Sequence, residues 1–354
     1  MKSTAKYVGL DVHQATTVAS VRDEQGHVIL RSIVSTDAGS LVELCQRMRG
    51  RVAVALEEGT QAQWIYDVLT PVVDRIIVCD RRGASGHGNK ADQSDADELA
   101  DLLRCGRLRA VYHGSPEHTT LKELARTYLN VIEDNTRVML RLKALFRARG
   151  IRTPGRAVYR SETRGQWLAH LVDAGVRFRA DTLYTELAVL QQLRPKAKRA
   201  LLAAAAQEPA WAVLRSIPFL GPVRAALLLA TLQTPWRFRT KRHLWSYAGL
   251  AVVTRITAEY ALEGGRPVRR RHAPRTRGLN RNHNRIVKGV LKAAATPAAS
   301  RPGPLQDYYE RMVRQGMRPE LARVTLTRKL AALMLRLWKT GEVYDPTKLS
   351  VQAH

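Results

Sequence analysis

The sequence predicts an α/β domain followed by a strongly basic, mainly helical remainder. In residues 1–115, short apolar runs alternate with segments of helical periodicity, and 14 Lys/Arg nearly balance 15 Asp/Glu. In residues 116–354, apolar residues recur at helical spacing, and 44 Lys/Arg stand against only 16 Asp/Glu. We therefore expect the α/β domain over 1–115, a helical arm over 116–208, a C-terminal domain over 209–345 and a tail over 346–354.

The α/β domain should contain five strands and three helices. The predicted strands are 7–11, 16–22, 28–35, 51–57 and 75–79, and the predicted helices are 40–48, 61–69 and 94–103. Three consecutive strands followed by alternating helices and strands is the order of a ribonuclease-H-like fold. An ordinary doubly wound α/β domain is the alternative. Acids at strand ends favour the nuclease-like fold, because ligand sites form at the carboxyl ends of strands.

Acidic residues cluster at the predicted ends of two strands and at the start of the third helix. These residues are Asp11, Glu57, Asp92 and Asp95. Mg²⁺ prefers such carboxylate oxygens, and two metal ions can assist both oxygens of a phosphoryl transfer. The sequence thus predicts a Mg²⁺ site, with Mn²⁺ as a possible substitute. Glu58 and Asp97 are rivals for neighbouring roles, and Asp95 or Asp97 could simply cap the helix.

The arm carries an apolar stripe that predicts helix pairing. Its a and d positions are Leu121, Leu124, Tyr128, Val131, Asn135, Val138, Leu142 and Leu145. Asn135 at an a position would fix the register of a coiled coil, while Ile132, Met139 and Phe146 widen the stripe as in a helical hairpin. We expect an antiparallel arm that also dimerises, broken at Pro154 and continued by a helix over about 179–206.

The charge predicts a polyanionic partner, and nucleic acid is the commonest one. The formal net charge is +27, and the basic part interleaves Arg with Trp and Tyr. Residues 217–225 read as a helix–hairpin–helix turn that could present backbone N–H groups to a phosphate. An ordinary turn is equally compatible. Between Arg239 and Lys288 there are 13 Lys/Arg and two acids, so a β-ribbon or loop there should bind nucleic acid.

Cysteine usage and hydropathy predict a cytoplasmic protein. Cys45, Cys79 and Cys105 are isolated, with no CxxC pair and no His at zinc-finger spacing, as expected of buried thiols in a reducing compartment. The apolar windows are too short to span a bilayer, and residues 1–3 lead directly into the first predicted strand, so we expect no secretory signal. We expect no membrane partner.

Several segments carry a resemblance to a known family. They are residues 7–13, 56–60, 90–96, 217–222, 236–250 and 276–281. In them the sequence resembles the insertion-sequence one-ten (IS one-ten) family of DEDD transposases, whose relatives include Piv-like DNA invertases and bridge-RNA-guided recombinases. The resemblance implies a RuvC-like N-terminal domain, a coiled-coil arm and a C-terminal transposase domain. It also implies a tetramer on DNA, with a structured non-coding RNA that specifies target and donor.

The sequence departs from this family at the nucleophile. The resemblance implies a Ser that becomes attached to DNA, yet no Ser occurs between Ser246 and Ser300. Thr257 lies in the corresponding segment, and Thr254 is the weaker choice. A Thr hydroxyl can act as a nucleophile, although its methyl group crowds attack on phosphorus. The alternative is that Thr257 is an ordinary strand residue and the protein only binds nucleic acid.

The leading hypothesis is a DNA recombinase of a mobile element. The four acids would hold Mg²⁺, and Thr257 would attack the phosphate. The residues expected to hold DNA or RNA phosphates are Arg255, Arg269, Arg270, Arg271, Arg277 and Arg281. One rival is a RuvC-like hydrolytic nuclease, which needs only the carboxylates and water. The other is a non-catalytic nucleic-acid-binding relative of transposases. The expected partners are donor and target DNA, a structured guide RNA and further copies of the chain, as a dimer or tetramer.

Overall fold

The chain forms two compact units, residues 1–117 and 118–354. The structure is a computed structural model that describes residues 4–80, 92–114, 116–255, 259–263, 266–270 and 275–350. Within those residues, no helix is both long and apolar enough to cross a membrane.

Among its described residues, the first unit contains a mixed sheet and three helices. Its strands are β1 (Ala5–Val12), β2 (Thr16–Arg22), β3 (Val28–Ser35), β4 (Arg51–Glu57) and β5 (Arg75–Cys79). Its helices are α1 (Ala38–Gln46), α2 (Ala62–Leu69) and α3 (Asp92–Arg104). Every predicted element is present, with ends displaced by no more than two residues. The predicted α/β architecture is therefore confirmed.

The sheet has the strand order β3-β2-β1-β4-β5. β1, β2 and β3 are antiparallel neighbours, whereas β4 and β5 run parallel to β1. Helices cover both faces of its centre. The apolar side chains of β1 and β4 that include Leu10 and Leu56 pack in one core with α1 and α2. Ala55 and Ile77 pack on the other face against Leu99 of α3.

The second unit begins with two long helices. It contains α4 (Thr119–Arg147), α5 (Arg164–Ala169), α6 (Ala174–Ala205), α7 (Trp211–Ser216), α8 (Pro222–Leu232) and α9 (Lys241–Tyr247). After these come β6 (Val252–Arg255), β7 (Glu259–Glu263), β8 (Arg266–Arg270) and β9 (Arg275–Leu279). The remaining helices are α10 (Arg285–Ala298), α11 (Pro304–Arg314), α12 (Pro319–Thr340) and α13 (Thr347–Ser350).

The predicted stripe of the arm is buried within this chain. Val138 and Leu142, near the end of α4, pack with Leu187 of α6. Leu121, near the start of α4, packs with Leu201 near the end of α6. The two helices are therefore antiparallel, as the sequence predicts. Because α6 already covers much of the stripe, this packing does not support a coiled coil between two copies of the chain. Dimerisation stays a prediction.

The break in the arm comes earlier than the sequence predicts. α4 ends at Arg147, before Pro154, and α6 begins at Ala174 rather than near residue 179. The Asp173 side chain accepts a hydrogen bond from the Val176 backbone N–H at 2.8 Å, which caps α6. A capping Asp stabilises a helix start by satisfying an otherwise free N–H. This local signal sets the start of α6.

The C-terminal helices share one core. The buried side chains of α8, α10 and α12, among them Leu228, Leu291 and Leu330, pack together. α8 is apolar nearly all round, as expected of a helix surrounded by others. The basic segment after α9 forms two antiparallel strand pairs, β6 with β9 and β7 with β8. The mainly helical C-terminal region with strands in its arginine-rich part agrees with the prediction.

Candidate active site

Two of the predicted acids lie side by side at one edge of the sheet. Leu10 of β1 is paired with Leu56 of β4 in parallel register, so Asp11 and Glu57 follow at the same level on neighbouring strands. Side chains alternate between the faces of a strand. Since Leu10 and Leu56 belong to the core beneath α1 and α2, Asp11 and Glu57 belong to the face covered by α3. The Asp11 side chain is 20% exposed.

Helix α3 approaches this face with almost no gap at Gly9. A Cβ atom on Gly9 would lie 2.1 Å from the Ala96 carbonyl oxygen. Only glycine permits such an approach without a shift of the backbone. Asp92 begins α3 one helical turn before Ala96, and Asp95 directly precedes Ala96. The glycine therefore fixes the level at which the first turn of α3 passes β1.

The direction of α3 brings its first turn to the edge where β1 and β4 end. Arg104, in the last turn of α3, has its guanidinium 3.1 Å from the Cβ position of Gly26. Gly26 lies in the turn between β2 and β3. Because β2 is antiparallel to β1, this turn lies at the level where β1 begins, opposite to the level where β1 ends. The start of α3 is therefore at the edge that carries Asp11 and Glu57. The backbone brings all four predicted acids to this edge.

The side chains of these acids are described in part. Asp95 is half-buried, whereas the Asp92 side chain lies outside the described residues. Among the side chains that the structure does describe, no three His, Cys, Asp or Glu residues are close enough to hold a metal ion. The donor atoms that the acids bring to this edge are nevertheless carboxylate oxygens, which hard divalent cations prefer as ligands.

His13 is a neighbour of Asp11 and is not among the site residues predicted from the sequence. Its Nε2 lies 3.2 Å from Asp11 Oδ2, and its side chain is 47% exposed. The backbone of His13 donates to the Thr16 carbonyl oxygen in the turn from β1 to β2. The sequence shows that His13 follows Asp11 by two residues. It does not predict the tight turn that holds the His13 side chain beside the carboxylate.

Asp97, one of the two rival acids, is part of an ion pair with the sheet. It accepts a hydrogen bond from Ser20 Oγ at 2.5 Å and another from Arg31 Nη2 at 2.7 Å. The hydrogen bond from Arg31, helped by that from Ser20, lowers the pKa of the Asp97 carboxyl despite its partial burial. Ser20 pairs with Gly9 in the sheet. Asp97 therefore ties α3 to β2 and β3, at the level of the close approach.

Glu58, the other rival, belongs to a separate hydrogen-bonded network. Its Oε2 lies 2.8 Å from His113 Nε2, and His113 Nδ1 lies 2.9 Å from Gln63 Oε1. Gln63 donates its amide N–H to Asp67 at 2.9 Å, which orients its carbonyl oxygen toward His113. The His113 ring stacks on Tyr66 at 5.3 Å and is only 5% exposed.

His113 bridges two side chains through its two ring nitrogens, Nδ1 toward Gln63 and Nε2 toward Glu58. Glu58 follows Glu57 directly, and the network therefore anchors the turn that carries Glu57.

The predicted nucleic-acid residues are described only in part. Thr257 and Arg271 lie outside the described residues. Four more arginines have described backbones in the strands, but not described side chains: Arg255, Arg269, Arg270 and Arg277. Register pairs Arg269 with Tyr260 across β8 and β7. Arg281, just after β9, is exposed. The backbone thus places the five described arginines on or beside one pair of short ribbons.

The base of the ribbons is fixed to the helical domain. Gly249 has a φ of +63°, and the ring of His283 lies 2.4 Å from the position that a Cβ would take. Asn280 donates its side-chain amide to the Ser246 carbonyl oxygen at 3.0 Å. The segment just before β6 and the segment just after β9 are thereby held together. This explains why a glycine occupies position 249, between Tyr247 and Leu250.

Comparisons with known proteins identify the family. A family model for the DEDD domain of IS110 elements, described as Transposase, matches residues 8–148. A second, described as Transposase IS116/IS110/IS902 family, matches residues 212–279. The fold and these matches define a transposase-type protein with an acid-bearing α/β domain and a separate basic domain. The chain belongs to the IS110 family of transposases.

Two relatives from Streptomyces support this assignment. The insertion element IS110 uncharacterized 43.6 kDa protein of Streptomyces coelicolor is 27% identical over 164 residues, which cover 46% of this chain and 37% of that protein. The insertion element IS116 uncharacterized 44.8 kDa protein of Streptomyces clavuligerus is 26% identical over 134 residues, 38% of this chain and 30% of the relative. The matched part of the chain thus spans well under half of either relative.

Proposed function

We propose that this protein is the transposase of an insertion sequence, an enzyme that cuts and rejoins DNA strands. The observation that carries the proposal is the placement of Asp11 and Glu57 at the same level on neighbouring strands. The start of α3, with Asp92 and Asp95, reaches the same edge. The family match over residues 8–148 includes all four positions. The strand order of the sheet also supports assignment to the ribonuclease-H-like, RuvC-like fold.

Asp11, Glu57, Asp92 and Asp95 would hold Mg²⁺ or Mn²⁺. When bound, a divalent metal supplies charge stabilisation to the attacking and leaving oxygens of a phosphodiester. The protein's own contribution is to hold the carboxylates in place. Gly9 sets the level of α3, Asp97 ties that helix to β2 and β3, and Glu58 is anchored through His113.

Thr257 would supply the hydroxyl nucleophile. Its oxygen would bond to the scissile phosphorus while the bond to one DNA oxygen breaks, leaving that strand attached to the protein. The hydroxyl proton must pass to a base or to water, and the displaced DNA oxygen must gain one. The second family match, over residues 212–279, includes this position. Donor and target DNA are the proposed substrates.

Arginines of the ribbons would hold nucleic-acid phosphates. The proposed contacts are Arg255, Arg269, Arg270, Arg271, Arg277 and Arg281. We also propose that a structured guide RNA specifies the DNA sites, and that the protein acts as a dimer or tetramer. The net charge of +27 supports an extended polyanionic partner. Light scattering with and without nucleic acid measures the oligomeric state.

Trapping the covalent intermediate tests the proposed reaction. A suicide DNA substrate, in which a nick lets the cleaved strand diffuse away, should leave a protein–DNA adduct in the presence of Mg²⁺. Asp95→Asn should abolish the adduct, because it removes a carboxylate from the edge. Asp101→Asn is the matched control on the same helix, since Asp101 is paired with Arg104 at 2.7 Å. Free 5′-phosphate ends without an adduct would instead establish hydrolysis by water, and binding without cleavage would refute both reactions.

A further inference from the structure

The second unit contains a cavity of about 500 Å³ with a strongly basic lining. It lies among the segment before α9, the start of that helix, the later turns of α12 and the chain that follows α12. The cationic side chains in its wall are Arg239, Lys241, Lys329, Arg336, Lys339 and Lys348. Asp345 is the acid that lines it. The cavity is separate from the arginine-rich ribbons.

Three of these cations have polar partners, and two others, Lys241 and Lys329, lie over the rings of Trp245 and Tyr308 at 5.7 Å and 5.6 Å. Arg336 and Lys348 lie 3.7 Å and 3.3 Å from Glu342 Oε2. Lys339 donates to the Phe238 carbonyl oxygen at 2.6 Å. In the part of the chain that the structure describes, Arg239, Lys241 and Lys329 form no ion pair. The charges of these three are therefore not neutralised by neighbouring acids.

The pKa of Lys329 reflects the excess of positive charge inside the cavity. Burial lowers the pKa of its ammonium group, and the nearby positive charges of Lys241 and Arg336 lower it further. Like charges at close range disfavour each other's charged forms. A bound anion would remove this repulsion. The cavity therefore has the electrostatics of a site for a ligand that carries negative charge.

An exposed aromatic ring stands beside this site. Trp236, which follows α8, is 70% exposed. The Lys339 ammonium, part of the cavity wall, lies 5.3 Å from the centre of its ring. A large indole is usually buried, and an exposed one next to cations is a platform on which a nucleic-acid base can stack. Bases inside a duplex are already stacked on their neighbours, so this platform favours unpaired bases.

We propose that this cavity binds a single-stranded segment of nucleic acid. Arg239, Lys241 and Lys329 would contact its phosphates, and Trp236 would stack on an unpaired base. The proposal rests on the proposed function, because it requires a protein that binds nucleic acid. It assigns a second contact surface for the unpaired parts of that partner. It makes no use of the carboxylates or of Thr257.

Binding of a short oligonucleotide by the full-length chain tests the proposal. The probe is a fluorescein-labelled oligothymidylate of about 15 nucleotides, within the range that one single-strand site covers. Fluorescence anisotropy gives Kd at several salt concentrations. Lys241→Gln with Lys329→Gln should weaken binding about tenfold, and should reduce the slope of log K against log salt by about 1.4, or about 0.7 for each lost phosphate contact.

The control removes the same charge elsewhere in the unit. Lys196 and Lys198 are exposed on α6, outside the cavity, so Lys196→Gln with Lys198→Gln should change Kd by less than about twofold. Trp236→Ala should weaken binding about tenfold, while Trp236→Phe, which keeps a stacking ring, should retain most of it. Equal losses in both lysine pairs would mean general attraction and overturn the proposal. So would an unchanged Kd for Trp236→Ala.

Two further measurements identify the ligand and separate the proposals. The affinity for a DNA duplex of equal length should fall no further in the variant with Lys241→Gln and Lys329→Gln than in the control with Lys196→Gln and Lys198→Gln. Inorganic phosphate that displaces the probe at micromolar concentration would indicate a small-anion site and refute the single-strand assignment. If the parent forms the adduct on the suicide substrate and the cavity variant binds the oligonucleotide normally, the single-strand site is refuted and the transposase reaction is not. A cavity effect without any adduct or cleavage supports the cavity and refutes the transposase reaction.

Discussion

Gly9 of β1 and Ala96 of α3 approach so closely that a Cβ atom at Gly9 would lie 2.1 Å from the Ala96 carbonyl oxygen. The nitrogen of Ala100, one turn further along, would lie only 2.6 Å away. Both obstacles are backbone atoms of a helix, which cannot move aside as a side chain can. Because Asp11 lies two residues after Gly9 and Asp95 directly precedes Ala96, this contact sets the spacing between two of the proposed metal ligands.

Gly9→Ala should therefore destabilise the first unit and disturb the carboxylates. Overpacking of this kind costs about 1–3 kcal/mol, which lowers the thermal midpoint by several degrees in a domain of this size. Differential scanning calorimetry measures it. Gly59→Ala is the matched control, because a Cβ at Gly59 meets nothing within 4 Å. A Gly9→Ala protein as stable as the parent would show that α3 can withdraw freely.

The sequence predicts the strands of the first unit well, because their apolar runs are short, continuous and bounded by turn residues. It also places Asp11 and Glu57 at strand ends, and a general rule about parallel strands then brings them to one edge. It could not predict the partners of the rival acids. Asp97 and Ser20 are 77 residues apart, and no local pattern connects them. The choice between a stripe buried in one chain and a stripe between chains likewise depends on the separate helix α6.

Divalent metal should stabilise the first unit of the full-length protein. Neighbouring carboxylates repel one another when no cation lies between them, so Mg²⁺ or Mn²⁺ should raise the thermal midpoint at which the first unit unfolds. A ligand present at about 100 times its Kd adds about 2.7 kcal/mol to stability. Asp11→Ala should remove this increase together with strand cleavage, whereas Asp101→Ala should retain both. Cleavage by Asp11→Ala at the parent's rate would refute the assignment of Asp11 as a metal ligand.

The contact between Asp97 and Arg31 should make stability depend on acidic pH. Hydrogen bonding lowers the pKa of the Asp97 carboxyl from its ordinary value of 3.8. A carboxyl with a lower pKa in the folded state stabilises that state above the unfolded pKa, and this contribution disappears as pH falls through the folded pKa. Asp97→Asn should lower the thermal midpoint by a few degrees at neutral pH and by less below about pH 4.

Arg31→Gln tests the same contact from its other side. The double variant with Asp97→Asn should be little less stable than either single variant, because the two residues act through one interaction. Additive losses would show that Asp97 and Arg31 contribute independently. Asp101→Asn, which removes a carboxylate more exposed than that of Asp97 (43% against 19%), should have the smaller effect at neutral pH.

His113 should act as a positioning residue for the turn after β4. His113→Ala leaves Gln63 and Glu58 without their shared partner in a site where the imidazole is only 5% exposed. The expected cost is about 1–3 kcal/mol in the free energy of unfolding. If the network also positions Glu57, adduct formation should require more Mg²⁺ in this variant. His113→Gln, which can still donate to one neighbour, should recover part of both properties. A normal metal requirement in His113→Ala would limit the residue to stability.

Thr257 is the proposed nucleophile, and two substitutions separate its oxygen from its shape. Thr257→Ser keeps the hydroxyl and removes the methyl group that crowds attack on phosphorus, so adduct formation should persist or rise. Thr257→Val keeps the shape and removes the oxygen, so the adduct should vanish while DNA binding remains within about twofold of the parent, because no charge is lost. Thr254→Val is the matched control, since Thr254 is an exposed residue of β6 in the same segment. Peptide mapping of the trapped adduct by mass spectrometry decides the matter, because attachment at Thr254, at Ser246 or at any other hydroxyl would exclude Thr257 while leaving a covalent recombinase in place.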